Sequence, residues 1–473
     1  PPLPAGDFVF AIETILNPAV ECPQIRNYYE DVAKAEAPDD HTFILRWKRK
    51  VYNSITYSLD LEPLPRHIYT RNRDGTEIPP ERFAASFNKH WFDQERAVIG
   101  VGMYRLESYD PDEKAVFRRN PSFWGVRQHF DAIEWNLQIK EDAAQLDAFK
   151  NGQAHADGLT PLLYKSQILD GKEPRFAKAI EGDAKAGRAG ELGWEKIRGM
   201  SFSYIGWNMR RQPFDDVRVR RAMAIAFPKN RILRDIFFGL GRPVLSDVLL
   251  DSEYYNTDLK PFAFDLKAAT KLLAEAGWTD SDGNGLLDRM VNGQKQEFSF
   301  TIKTHANAPE IDNMLSVYRN ELKKIGIEMK TEPQEWKEML RVYEDRDFQA
   351  IVGAWQMDWD IDYYQLWHSS QADVQGGSNH CGFKDARMDA LADRLRTTFD
   401  LAERVRIAKE AQAILHEQQP YLFFRAGEGV FTWQNRAPAG STVRERYLDG
   451  VTRGLDEFHP LVNRSRAFWC FAR

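Results

Sequence analysis

Three aspartates in the stretch AWQMDWDID, Ala354 to Asp362, stand at every second position, with Trp355 ahead of them and Trp359 between the first two. In an extended chain this spacing puts Asp358, Asp360 and Asp362 on one side and Trp359 on the other. Aspartate is disfavoured in strands, and like charges on one face repel unless water, a cation or a ligand answers them. A solvated loop after a strand is the plain reading. The chemical readings are a metal-binding loop, a carboxylate pair for acid/base work, or a socket for a cationic ligand. Glycoside hydrolysis needs two carboxylates flanking a bond from opposite sides, so residues two apart on one strand would require a second carboxylate from elsewhere.

Other chemistry is thinly signalled. The chain has no G-x-S-x-G, no G-x-x-x-x-G-K-[ST] and no H-E-x-x-H, and no two of its ten histidines are four residues apart. His368, His380 and Cys381 read as polar surface before they read as a metal group. DSDGNGLLD, Asp280 to Asp288, matches a calcium loop at its first, third, fifth, sixth and ninth positions, but Val291 stands where the bidentate glutamate belongs. Gly, Asn and Asp in this density build turns, so a hairpin turn without metal is expected. No catalytic residue, metal or cofactor is assigned.

The elements that position the acidic stretch are well marked. EFSFTIKT, PEIDNMLSVYRNELKKI, GIEMKTEP, QEWKEMLRVYE and FQAIVGAWQM alternate strand and helix, the pattern of a mostly parallel sheet. The aspartates therefore follow the carboxyl end of a strand, where open α/β sheets hold ligands. Upstream, FSYIGWNM reads as a strand, Asp216 and Asp265 as helix caps and Gly277 as a helix stop. Asp400 with Glu403 resembles a capping box ahead of the stripe Val405, Ala408, Ala411, Ile414 and Leu415. Nearer the start, a helix is expected over Asp7 to Leu16 and strands over His41 to Trp47 and Val51 to Leu61. A strand-rich block follows from Gly100 to Gly158, then an exposed excursion from Lys172 to Glu195.

The 473 residues suffice for two or three domains. With 28% charged residues and a mean hydropathy of −0.55, the composition is that of a soluble globular protein. A net charge of −6 argues against nucleic acid as a partner. Three cysteines, Cys22, Cys381 and Cys470, allow at most one disulfide. Of 13 tryptophans, Trp207, Trp336, Trp355, Trp359 and Trp367 sit among polar neighbours, as residues lining ligand clefts do. The opening PPLPAGDFVFAIETIL has neither an initiator Met nor a basic and apolar leader, which points to a removed signal peptide or a fragment.

The run WNMRRQPFDDVRVRRAMAIAFPKNRIL resembles the signature of family 5 extracellular solute-binding proteins, the oligopeptide, dipeptide and nickel-chelate receptors of ABC importers. GVGMYRL, RRNPSFWG, FKNGQAHADG, FDLKAATKLLAEAGW, QEWKEML, AWQMDWD and SNHCGF match that family in order and spacing. DFVFAIE resembles a segment lying some way into the family's mature chain, so its first strands are expected to be absent here. The resemblance implies an α/β, two-lobed periplasmic-binding-protein-like fold of the class II, or cluster C, type with a hinge between the lobes. Residues 1–99 would form an accessory part of the first lobe, 100–206 its body completed by 428–473, and 207–427 the second lobe. It further implies a monomeric, periplasmic or cell-surface subunit, not an enzyme, that captures a small peptide or peptide-like amine between the lobes for an ABC permease. An oligosaccharide receptor of the same fold is the rival. In peptide-binding members the Asp of a W-x-x-D stretch receives the ligand's α-ammonium, a pattern held here by Trp355 and Asp358. By the same resemblance Asn379 lies in the segment touching the ligand main chain and Trp336 borders side-chain pockets. Tyr204 to Trp207 form a strand crossing between lobes, and Trp359 joins the ligand-binding set. Asp360 and Asp362 remain as structural carboxylates, solvated or paired with Arg or Lys, at the cost scale of exposed pairs.

Overall fold

A computed structural model of the chain describes residues 3–95, 99–125, 131–154, 156–178, 192–291 and 293–434. Cys470, most of the excursion expected at 172–195 and most of the segment 428–473 lie outside the described residues. The chain divides into two compact units, one of residues 1–7, 64–197 and 428–473, the other of 8–63 and 198–427. Contact thus groups 8–63 with a stretch far along the sequence rather than with the residues that follow it.

In the first unit, Tyr104–Tyr109, Lys114–Arg119 and Ala132–Asn136 form an antiparallel three-stranded sheet. Within the turn that follows Lys114–Arg119, Asn120 accepts a hydrogen bond from the Ser122 backbone N–H at 3.0 Å. The short strand Ala156–Leu159 runs antiparallel to residues 430–433. Phe176–Lys178 pairs in parallel with 192–194. Leu192 and Trp194 are buried, so the sequence expectation of exposure through Glu195 fails: these residues have a strand partner and a core to fill.

The second unit carries the β-α-β run. Glu328–Gln334, Ser299–His305 and Ala350–Gln356 lie side by side in parallel, and Ala350–Gln356 then pairs antiparallel with residues 201–207 of the strand Leu192–Trp207. Strand alternation divides these residues between two cores. Ile205, Trp207, Phe300, Ile302, Ala350 and Val352 enter one with helices Val217–Ile225, Leu266–Glu275 and Pro309–Lys323. Phe202, Tyr204 and Ile351 enter the other with Trp336–Asp345, Ala386–Thr397 and Leu401–Gln418. The helix starts follow the expected caps: Asp216 accepts from the Arg218 N–H, Asp265 from Lys267 and Ala268, and Asp400 from Glu403. Gly277 has φ +85°, which its lack of a Cβ permits.

One element differs in kind. The residues read as a strand at Val51 to Leu61 contain the helix Ser54–Leu59 instead. Its neighbours Thr56 and Tyr57 both reach the acidic loop, which the opposed side chains of an extended chain would prevent.

Candidate functional site

The carboxyl end of Ala350–Gln356 presents Trp355 half-buried against the second core. Its indole Nε1 donates to the Tyr421 hydroxyl at 3.2 Å. Its ring lies parallel to that of His380, with centroids 5.7 Å apart and planes 5° apart. Tyr343 packs on His380 at 4.8 Å. Burial, reinforced by the Arg346 and Arg210 guanidinium groups, pushes the His380 pKa down to about 3, so the ring is neutral at ordinary pH. Tyr204 is buried and stacks on Tyr421 at 3.9 Å. Gly353 is required beneath this group: a Cβ there would lie 2.6 Å from the Tyr204 hydroxyl oxygen and 2.7 Å from that of Tyr343.

The three aspartates then separate. Asp358 is exposed, and one of its carboxylate oxygens accepts the Trp359 backbone N–H at 2.7 Å. Asp360 accepts from the Thr56 hydroxyl at 2.7 Å. Asp362 forms a buried ion pair with Arg396 at 2.6 Å and accepts from the Tyr57 hydroxyl at 3.0 Å. Burial works against the Arg396 charge, but Asp362 more than offsets it. Asn27 accepts from the same guanidinium at 3.3 Å, which also lies over the Tyr364 ring at 4.1 Å. Pairing of Asp362 with arginine follows the sequence reading. Its burial does not, because Tyr57 and Asn27 close over the pair from a distant part of the chain.

A family model described as bacterial extracellular solute-binding proteins, family 5 Middle, matches residues 1–376. The chain belongs to this family. The oligopeptide-binding protein AppA of Bacillus subtilis is 27% identical over 403 residues, covering 84% of this chain and 67% of that protein. The dipeptide-binding protein of Escherichia coli is 23% identical over 325 residues, covering 68% and 55%. The chain thus spans about two-thirds and about half the length of these two relatives. The structure of Bacillus subtilis AppA in complex with a nonapeptide aligns with a TM-score of 0.77 at 24% identity, over 94% of this chain and 82% of that one. The oligopeptide-binding protein of Thermus thermophilus with a pentapeptide gives 0.73 at 20%, over 91% and 76%. These likenesses establish the two-lobed α/β fold of family 5 receptors.

The other residues singled out on family 5 grounds fall in different places. Trp359 packs partly buried on the same core as Trp355. Asn379 is buried, its side chain donating to the Phe383 and His368 carbonyls at 2.9 and 3.4 Å and accepting the Phe383 N–H at 2.9 Å. Its neighbour His380 is the residue of the SNHCGF run whose side chain meets Trp355. Trp336, 58% exposed at the start of its helix, stacks on His305 at 4.9 Å. Trp207 is fully buried on the opposite face of the sheet, stacked on Phe214 at 4.6 Å. Tyr343, Tyr421 and Arg396 carried no local signal. Of the three, only Tyr343 lies inside a quoted run, and its helical spacing marks it as core.

Among the described residues, no nucleophile–base pair or metal-ligand cluster is found beside Trp355. Burial pushes the Cys381 thiol well up while His380 is pushed down, the reverse of what an activated thiolate–imidazolium pair requires. Among the described residues, the one group of three or more potential metal ligands is Asp280, Asp282 and Asp288, with ligand atoms within 4.8 Å of one another. His368, His380 and Cys381 do not gather in this way. Lys295 pairs with Asp282 and lies 3.4 Å from Asp288, supplying a cation from within the chain.

Proposed function

We propose that this chain is the exported, monomeric ligand-capturing component of an ABC importer, taking peptides or peptide-like amines for a membrane permease without turnover. Membership of family 5, with relatives named for binding oligopeptides and dipeptides, supports the reading. The observation that carries it is Asp358. It stands three residues after Trp355, in the W-x-x-D pattern, and is exposed. An α-ammonium offers three donors and a full charge, and a carboxylate beside an aromatic wall answers both with charge-assisted hydrogen bonds.

Removing one partner of a desolvated charge pair costs about 2–5 kcal/mol, or on the order of 30- to several-thousand-fold in affinity. Asp358→Asn should weaken binding of short unblocked peptides by that factor. Acetylating the peptide amine should do the same, and the two losses should not add, since both remove one interaction. Isothermal titration measures all four combinations. An Asp358→Asn affinity within about threefold of the parent would overturn the ammonium socket. Tighter binding of cello-oligosaccharides, abolished by Trp355→Ala, would put the saccharide receptor in its place.

A further inference from the structure

Behind Trp355 three tyrosines, Tyr421, Tyr204 and Tyr343, pack in or against the second core. The indole N–H donates to Tyr421 at 3.2 Å. The Tyr421 ring stacks on that of Tyr204 with centroids 3.9 Å apart, and the Tyr204 and Tyr343 hydroxyls both border Gly353. Tyr343 donates to the Val352 carbonyl at 3.2 Å. The tyrosines come from three elements, the strands Leu192–Trp207 and Tyr421–Gln434 and the helix Trp336–Asp345. Gly353 makes room for two of the hydroxyls at once. Rings alone would pack as well without oxygens: Phe202 and Phe423 occupy the same core. A buried tyrosine hydroxyl costs desolvation unless it is paired, and that of Tyr421 is met by the Trp355 indole N–H.

We propose that Tyr421, held by the stacked Tyr204 ring, is the positioning residue that fixes the orientation of the Trp355 indole for ligand. His380 holds the ring's face and Tyr421 holds its edge, so the plane and the in-plane rotation of the indole are both set before ligand arrives. Such pre-organisation lowers the ordering cost of binding. The inference rests on the reading of Trp355 as a ligand contact, and its test separates the two.

The probe is a short unblocked alanine oligopeptide, titrated against the full chain carrying Tyr421→Phe, Trp355→Phe or both. Losing one neutral hydrogen bond corresponds to roughly fivefold in affinity, so Tyr421→Phe should weaken binding about fivefold. In the Trp355→Phe background, where no indole N–H exists, the same change should have an effect within about twofold. Independently of ligand, the Trp355 indole 1H–15N resonance, identified by its disappearance in Trp355→Phe, should move upfield in Tyr421→Phe. An unmoved resonance, or equal losses in both backgrounds, overturns the positioning role. A Trp355→Phe variant that binds peptide like the parent overturns the ligand-site reading instead.

Discussion

Two partly buried ionisable side chains in the second unit respond to acid in opposite directions. Burial lowers the folded pKa of His380 from 6.5 to about 3. Between those values the unfolded chain binds the extra proton, and stability is lost as pH falls. Burial raises Asp247 from 3.8 to about 6, against the pull of the Trp367 N–H that donates to it at 2.6 Å. Here the folded chain binds the extra proton, so stability is lost as pH rises through that window. From about pH 4 to pH 6 the two slopes oppose each other. Asp247→Asn keeps the acceptor for Trp367 and removes one slope. Its stability relative to the parent should therefore climb with pH, by up to about 1.4 kcal/mol per unit and roughly 3 kcal/mol in all. Urea unfolding at a few pH values across this range measures it, and a pH-independent difference would show that Asp247 is ionised throughout.

The loop after Ala350–Gln356 owes its form to elements far away in sequence. Tyr57 and Thr56 on Ser54–Leu59 and Arg396 on Ala386–Thr397 converge on two of its carboxylates, with Asn27 on Pro23–Tyr29 accepting from the Arg396 guanidinium. Expected from sequence to cost no more than an exposed pair, Asp362 instead belongs with buried pairs, where removing one partner strands the other. Asp362→Asn should destabilise the fold by about 3–5 kcal/mol. Asp360→Asn, which can still accept from Thr56, should cost about 0–1 kcal/mol. The denaturant midpoints of the two variants decide the matter, and equal midpoints would mean that the Arg396 pair is solvated. The same elements explain the helix at Ser54–Leu59. Its strand-like composition, with Ile55, Tyr57 and Leu59 at alternate positions, is overruled by bonds that a strand could not make from adjacent residues.

For the whole molecule, no helix among the described residues is long and apolar enough to cross a membrane. A ligand that binds only the folded chain stabilises it by mass action, about 2.7 kcal/mol at a hundredfold excess over Kd. Unfolding entropy of about 2.1 cal/mol/K per residue makes that a rise in Tm of roughly 3 °C for a chain of this size. Calorimetry with short peptides should show this rise, with cello-oligosaccharides leaving Tm unchanged. A rise with the saccharides alone would favour the rival receptor.

Sequence by itself determined the family, the β-α-β order of the second unit, its helix caps and the place of Asp358 after a strand. Each of these is written in local periodicity, in capping residues a few positions apart, or in motifs kept in order. What became of the other two aspartates was settled by partners 304, 305 and 34 residues away. The companions of Trp355 were likewise hidden, since Tyr421 is 66 residues distant and nothing near it marks a hydroxyl as needed. Trp207 shows the converse limit. Polar neighbours in sequence suggested a cleft, but strand alternation turned its ring into the core opposite Tyr204. Spacing fixes which side of an element a residue takes, whereas only tertiary packing decides whether that side meets solvent, core or a buried charge.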